Sequence, residues 1–313
     1  MEGPQVKALA DRLAELILGR RIDRIDVPAD RWQANVLLKH CAGRNIKSIT
    51  SRGRWLIWDF SHGISWVCFP LRRWRWSMAL TQNQQADIRP LTKAVGRRPL
   101  LKLTFSNQDV LTLSGRPIFL VLMTDAVARH PSLHNLGPDI LDPSLTVAQW
   151  AQRVRSAGAK NICHALMNPA IACGIGNELK CETLFAARLH PATPISSLPT
   201  EDLERCLHTA RELALAAYRR AMGSPFPMHD HPRVYDRAGE PCDICSAPIE
   251  ADHSGHDGHW SWYCPTCQAR AEEMTLFSKL PFSQRDWRLE KQNAGASPIS
   301  GPRPPAAPPE RRE

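Results

Sequence analysis

The sequence of 313 residues contains no hydrophobic run that approaches the length of a membrane span. It also shows no signal peptide, because the opening MEGPQVKALADRLAELILGRR mixes charged and apolar residues throughout. Acidic residues are in the minority, with 31 Asp and Glu against 40 Lys and Arg, which gives a net charge of +9. We therefore expect a cytoplasmic, nucleoid-associated protein without a membrane anchor, and the positive charge favours a polyanionic partner such as nucleic acid.

The order of predicted elements indicates an α+β protein. Apolar residues at helical spacing predict an amphipathic helix over residues 4–20. Short apolar or alternating runs then continue to PIFLVLM and predict an antiparallel sandwich or barrel. Beyond about residue 128 helices predominate, and Thr146 with Gln149 forms a predicted capping box at the start of one of them.

These patterns divide the chain into four predicted units. Strands followed by helices indicate two lobes, and a cysteine-rich segment follows the second lobe. The C-terminal stretch is rich in Pro, Gly and Ser and has little apolar surface to bury, so we expect it to be disordered. The units are a β-sandwich lobe (1–128), a helical lobe (129–230), a zinc-finger segment (231–275) and a tail (276–313).

Two CxxC pairs predict a structural zinc site. Cys242 and Cys245 precede Cys264 and Cys267, and the 18 residues between the pairs suffice for a β-hairpin that returns the second pair to the first. No βαβ pattern surrounds either pair, which argues against a thiol redox motif. The remaining cysteines lie mostly among apolar neighbours and are predicted to be small core residues: Cys41, Cys68, Cys163, Cys173, Cys181 and Cys206.

Three histidines fall inside the proposed hairpin at intervals of three, at His253, His256 and His259. They are candidates for a second metal site. Four thiolates already complete a structural zinc, however, so surface histidines in a polar loop are the favoured interpretation.

Several motifs together resemble the formamidopyrimidine-DNA glycosylase and endonuclease VIII (Fpg/Nei) family. They are MEGP before a helix, a β-rich lobe, CGIGNELKCETLF between helices, and the CxxC hairpin, with GPDILDP and DRAGEPCDIC as further similarities. The opening Glu-Gly-Pro is closer to the endonuclease VIII branch. The resemblance implies a β-sandwich lobe, a helix–two-turn–helix lobe and a zinc finger, with DNA bound in the cleft between the lobes. Family members flip a damaged base out of the duplex and attack the sugar C1′ with an N-terminal amine.

The resemblance assigns roles to individual residues, and three of them depart from the family pattern. Met1 stands where the family has a proline nucleophile, and Glu2 matches the catalytic carboxylate. Arg54 replaces a lysine, keeping the charge while losing the ability to release a proton at neutral pH. His259 stands where the family has a phosphate-binding arginine, and Asn177 matches the asparagine that holds the DNA backbone, with a helix cap as its alternative role.

The segment FPLRRWRW aligns with the loop that fills the gap left by the flipped base. Phe69 and Leu71 are the candidates for that role, although an ordinary core strand explains them equally well. Arginines interleave with tryptophans further along, a pattern suited to phosphates and stacked bases; they are Arg72, Arg73 and Arg75, with Trp74 and Trp76.

Three functions remain open at this point. The first is a monomeric DNA glycosylase with abasic-site lyase activity that prefers damaged or modified pyrimidines. The second is a former glycosylase that recognises lesions without cutting, and a zinc-dependent interaction protein unrelated to repair is a weaker third. Retention of Glu2 beside the terminal amine favours the enzyme, because a binding module does not need that carboxylate.

Overall fold

A computed structural model describes residues 2–27, 38, 40–70, 75–79, 99–114, 117–223, 231–256 and 258–269. Four of the predicted site residues lie outside these ranges, namely Met1, Leu71, Arg72 and Arg73, as does the predicted tail.

The first helix, α1 (Gly3–Ile17), forms because Pro4 is compatible with the first turn and an apolar stripe repeats along one face. Its buried face faces the sheets of the first lobe. The helix ends three residues earlier than predicted, because Leu18 is extended and Gly19 turns the chain at a φ of 75°.

Eight strands form two antiparallel sheets, which confirms the predicted sandwich. One sheet has the order β2, β3, β4, β8 and the other the order β1, β6, β7, β5. Apolar side chains from both sheets and from α1 form one core, with Trp58 and Trp66 fully buried in it. The strands are β1 (Ile22–Asp26), β2 (Ile46–Arg52), β3 (Trp55–Phe60), β4 (Ile64–Phe69), β5 (Arg75–Ala79), β6 (Pro99–Phe105), β7 (Val110–Ser114) and β8 (Ile118–Met123).

The second lobe is helical and has its own core around the buried Trp150. The predicted capping box is present, since Thr146 Oγ1 accepts a hydrogen bond from the Gln149 amide at 3.2 Å and the Gln149 side chain accepts one in return at 3.0 Å. Two short helices, α2 (Thr124–Val127) and α3 (Pro131–His134), pack against the first lobe. The second lobe contains α4 (Val147–Ser156), α5 (Ile162–Met167), α6 (Asn177–Ala186) and α7 (Thr200–Ala221), with a 3₁₀ turn at Ile195–Ser197.

A short hairpin of β9 (Glu250–His256) and β10 (His259–Tyr263) completes the described chain. It shares a small core with α6, in which Phe185 lies against residues of the C-terminal segment. The Glu182 carboxylate accepts three backbone N–H bonds, each of 2.9 Å, from residues 233–235 and so fixes the entry to the hairpin. Within the described ranges, no helix combines the length and the apolar character needed to cross a membrane.

Candidate active site and metal centre

The Glu2 carboxyl lies at the N-terminus of α6. Its two oxygens accept hydrogen bonds from the backbone N–H groups of Glu178 at 2.9 Å and Leu179 at 3.2 Å. The Glu2 N–H in turn donates to the Gln5 side chain at 2.7 Å. Because a helix N-terminus presents unpaired donors and partial positive charge, it is a natural seat for a carboxylate. The start of α1 and the start of α6 are thereby joined through one side chain.

Close backbone packing holds the N-terminal residues against the CGIGN turn. The Gly3 N–H donates to the Gly174 carbonyl at 2.9 Å, and a Cβ added at Gly3 would stand 2.8 Å from that oxygen. A Cβ added at Gly176 would stand 2.6 Å from the Glu2 Cγ and closer still to its carboxyl group. Gly3 is needed because a Cβ there would meet backbone atoms, whereas a Cβ at Gly176 would displace the Glu2 side chain.

Burial gives the Glu2 carboxyl unusual acid–base chemistry. Withdrawal of the carboxyl from solvent, although part of the residue stays accessible, raises its pKa to about 7, with a further contribution from the charge of Glu178. The two backbone hydrogen bonds at the helix start oppose this shift without cancelling it. Glu2 can therefore hold or release a proton near neutral pH, as a general acid or base requires.

Arg54 lies near Glu2 and interacts electrostatically with it. The turn that carries it is fixed by Asp139, whose carboxylate accepts the Gly53 N–H at 2.9 Å. The Arg54 guanidinium lies 4.7 Å from the ring centroid of Phe69, and its buried Nε has no hydrogen-bond partner among the described residues. Burial lowers the pKa of Arg54 and the Glu2 charge raises it. The site thus has a fixed cation beside a protonatable carboxyl.

Phe69 is the last residue of β4 rather than a loop residue. Its half-buried ring lies 4.8 Å from that of the buried Trp55. This packing favours the core-strand alternative over the void-filling role. Leu71, Arg72 and Arg73, which follow it in the sequence, lie outside the described residues.

Asn177 is the first residue of α6, whereas Gly176 occupies the N-cap position. The alternative in which the Asn177 side chain caps this helix is therefore wrong. Its Oδ1 atom is buried without a hydrogen-bond partner in the described part of the chain. His259 is the exposed first residue of β10, on the hairpin held against α6.

Four cysteine sulfurs converge at one end of the hairpin. All four lie within 4.8 Å of one another. The Sγ atoms are separated by 3.9 Å for Cys242 and Cys267, 3.4 Å for Cys245 and Cys264, and 3.5 Å for Cys245 and Cys267. A tetrahedral ion with metal–sulfur bonds of about 2.3 Å needs sulfur–sulfur edges of about 3.8 Å. The cluster has the donor set and the dimensions of a metal site.

No disulfide joins the ten cysteines, and the six outside this cluster are buried. Their burial agrees with the prediction of small core residues.

Two functional candidates carried no sequence signal strong enough to be singled out. Asp139 belongs to the GPDILDP motif, but its contact with the Arg54 turn joins residues far apart in the chain. Glu178 follows Asn177 directly, yet only the fold shows that it adjoins Glu2. The motif could have directed attention to Asp139, whereas the significance of Glu178 depends on the hydrogen bonds between Glu2 and the start of α6.

Two family models match the chain. They are the formamidopyrimidine-DNA glycosylase N-terminal domain, over residues 1–98, and the formamidopyrimidine-DNA glycosylase H2TH domain, over residues 136–224, and together they span more than half of it. A formamidopyrimidine-DNA glycosylase of Symbiobacterium thermophilum is 36% identical over 156 residues, or 47% of this chain and 50% of that protein. An endonuclease 8 of Pectobacterium atrosepticum is 28% identical over 289 residues, or 86% of this chain and 99% of that protein.

Solved structures show the same fold. A Lactococcus lactis Fpg in complex with DNA containing an abasic site matches with a TM-score of 0.71 and 21% identity, covering 86% of this chain and all of that one. A MutM in complex with DNA containing carbocyclic 8-oxo-G matches with a TM-score of 0.72 and 22% identity over the same shares. Two lobes and a C-terminal hairpin are therefore common to all three proteins.

Proposed function

The chain belongs to the formamidopyrimidine-DNA glycosylase and endonuclease VIII family, and we propose that it is a monomeric DNA glycosylase with abasic-site lyase activity. We propose damaged pyrimidines as its substrates, because Glu2-Gly3-Pro4 resembles the endonuclease VIII branch. The net charge of +9 supports DNA as the partner. A cytoplasmic location with access to chromosomal DNA follows from that substrate.

The seating of Glu2 is the observation that carries this proposal. Its carboxyl is held by two backbone N–H groups of α6, is shielded from solvent and has a pKa near neutrality. A DNA-binding surface gains nothing from a buried carboxyl that repels phosphates. A catalyst that must protonate a departing base and later accept a proton requires such a group.

In the proposed reaction the neutral α-amine of Met1 attacks the sugar C1′ of an extruded nucleotide. An unperturbed α-amine has a pKa of about 7.7 to 8.0, so a useful fraction is neutral at physiological pH. A nitrogen–C1′ bond forms while the glycosidic bond breaks, and the base departs with a proton delivered through Glu2. The Glu2 carboxylate then accepts one amine proton and passes it to O4′ as the C1′–O4′ bond breaks, which leaves a protonated imine that acidifies the C2′ protons. Removal of a C2′ proton then expels the 3′ phosphate and breaks the strand.

The remaining residues position the DNA in this proposal. Arg54 binds a phosphate with its planar guanidinium and supplies charge without transferring a proton. Asn177 and His259 contact the backbone from α6 and from the hairpin held against it, as their family positions imply. We retain Leu71, Arg72 and Arg73 as predicted DNA contacts on the sequence alone, with Phe69 kept as a weaker candidate.

We propose that the ion held by Cys242, Cys245, Cys264 and Cys267 is a structural zinc. Four thiolates in a tetrahedral arrangement suit Zn²⁺ and leave no open position for a substrate. The zinc would supply a crosslink between the two CxxC turns, and the hairpin that carries His259 depends on that crosslink for its shape.

A lesion-binding protein without catalytic activity is the second candidate. The observation that favours it is Arg54, because a guanidinium cannot take the proton-transfer role open to a lysine at this position. Both candidates bind abasic DNA, so only the chemistry separates them.

The proposal is tested by measuring base release and strand cleavage on duplexes that contain an oxidised pyrimidine or an abasic site. Glu2→Gln should lose base release by about 100-fold or more while binding changes little, because the loss is in acid–base catalysis. Glu15→Gln, an exposed carboxylate on the same helix, is the matched control and should behave as wild type. Tight binding with neither base release nor strand cleavage by the wild-type protein would establish the binding-protein alternative instead.

A further inference from the structure

An open cavity of about 730 Å³ is lined in part by Glu178, whose backbone N–H donates to the Glu2 carboxyl. It is formed by the start of α6, the end of α7 and the segment that leads to the cysteine cluster. Its lining includes Glu178, Arg220 and Tyr235, together with Pro232 and charged residues at the rim. The cavity has room for a nucleobase and is open to solvent on one side.

Glu178 is shared between this cavity and the candidate active site. Its backbone N–H donates to a Glu2 oxygen at 2.9 Å, and its charge contributes to the raised pKa of Glu2. Its side chain lines the cavity. A base that leaves C1′ with a proton delivered by Glu2 must lie next to Glu2. Burial raises the pKa of the cavity residue Tyr235, and the charges of Glu178 and Glu2 add to that shift, so this part of the cavity lies near both carboxyl groups. A base held there comes within reach of the Glu178 carboxylate.

The other polar groups of the cavity divide into two kinds. Arg237 is bound by Glu240 at 2.7 Å and by Asp243 at 3.1 Å, so its charge is already matched. Burial and the charge of Glu182 raise the pKa of Glu178, whereas the charge of Arg220 opposes that shift and favours the ionised carboxylate. Tyr235 offers an aromatic surface, with its own ring edge-on to Trp262 at 4.7 Å. A planar base can therefore lie against an aromatic ring while a carboxylate faces its edge.

We infer, on the basis of the proposed function, that Glu178 is a specificity-determining residue that selects an extruded base carrying an exocyclic amine. Above its raised pKa the Glu178 carboxylate is ionised and only accepts hydrogen bonds, so in that form it pairs with the 4-amino group of a cytosine-derived base. The 4-oxo group of a uracil- or thymine-derived base places an acceptor against the same carboxylate and is repelled. Among damaged pyrimidines, the enzyme prefers those formed from cytosine.

The test compares two duplexes that differ only in this group, one with 5-hydroxycytosine and one with 5-hydroxyuracil. For each, kcat/KM of base release and Kd of the full-length protein are measured. The wild-type protein should favour 5-hydroxycytosine by about tenfold or more, which corresponds to one charge-assisted hydrogen bond. Glu178→Gln should reduce the ratio to near unity, because an amide offers both a donor and an acceptor. Glu204→Gln, an exposed carboxylate on α7, is the control and should keep the wild-type ratio.

The ratio separates this inference from the proposed function. Glu178 contributes to the raised pKa of Glu2, so its replacement should change base release from both duplexes by the same factor. Loss of base selection changes only the ratio of kcat/KM for 5-hydroxycytosine to kcat/KM for 5-hydroxyuracil. A protein that discriminates in Kd without releasing either base would support the inference and refute the glycosylase proposal. Equal values for the two duplexes in wild type, a preference for 5-hydroxyuracil, or a preference that survives in Glu178→Gln would overturn the inference.

Discussion

Replacement of Gly176 by alanine should disable the site while leaving the fold nearly intact. The backbone at this position has a φ of −112°, which alanine adopts without strain. The added Cβ would stand 2.6 Å from the Glu2 Cγ, whereas non-bonded carbons settle at about 3.5 to 4.0 Å. The atom that must yield is part of a flexible side chain, so the Glu2 carboxyl moves by about 1 Å or more and the backbone stays in place.

The displacement has very different consequences for stability and for catalysis. Glu2 loses its hydrogen bonds to Glu178 and Leu179, but its carboxyl regains hydration, so we expect a stability loss of about 1 kcal/mol. A misplacement of about 1 Å at a reacting centre lowers the rate by about 100-fold. That rate loss corresponds to about 3 kcal/mol of transition-state stabilisation.

Strand cleavage on abasic duplex and urea unfolding measure the two effects separately. Gly158→Ala is the matched control, because it has a φ of 66° with no atom within 4 Å of the added Cβ. That variant should lose about 1 kcal/mol of stability from backbone strain and keep the wild-type rate. A Gly176→Ala protein that cleaves at a rate within about threefold of wild type would refute the claim that catalysis requires the Glu2 carboxyl in this position.

Three further predictions concern stability, metal and DNA. The Glu2 pKa is about 7 in the folded protein and 4.5 in the reference state, so the folded state binds more protons between these values and loses stability as pH rises through them. Glu2→Gln removes this loss, because glutamine does not titrate. The difference in unfolding free energy, variant minus wild type, should rise by about 3 kcal/mol between about pH 4 and about pH 8. A difference that does not change with pH would contradict the raised pKa of Glu2. Purified protein should contain one zinc per chain by elemental analysis. Cys245→Ser should lose the metal and DNA binding but keep the β-sandwich signal in circular dichroism. A metal-free protein with full DNA affinity would exclude the zinc site. Joint replacement of Arg72 and Arg73 by alanine should reduce the slope of log affinity against log salt by about 2, and an unchanged slope would remove this segment from the DNA interface.

Features with local chemical causes were predictable from the sequence. The CxxC spacing required only that a hairpin bring two thiolate pairs together, and the sulfurs do converge. The capping box at Thr146 and Gln149 likewise depends on residues three apart. The antiparallel sheets followed from alternating apolar residues, because side chains on a strand point to opposite faces in turn.

Features that depend on distant contacts were not predictable in the same way. Glu178 gains its significance from a carboxylate far away in the sequence, and nothing in its own neighbourhood indicates the cavity that it lines. Phe69 was ambiguous because a short apolar run fits both a strand end and a void-filling loop; its contact with Trp55 favours the strand, and its role toward DNA stays a prediction. The Asn177 cap was a reasonable alternative that the position of Gly176 overrides.

The central claim is that the α-amine of Met1 forms an imine with the sugar C1′ next to Glu2. Borohydride reduction during reaction with abasic DNA, followed by proteolysis and mass spectrometry of the adduct, tests it most directly, with the free N-terminus verified on the same sample. We expect a covalent protein–DNA adduct that maps to residue 1, and we expect no adduct when the α-amine is acetylated. An adduct that maps to an internal lysine, or tight binding to abasic DNA with no adduct from about pH 6 to about pH 9, would contradict it.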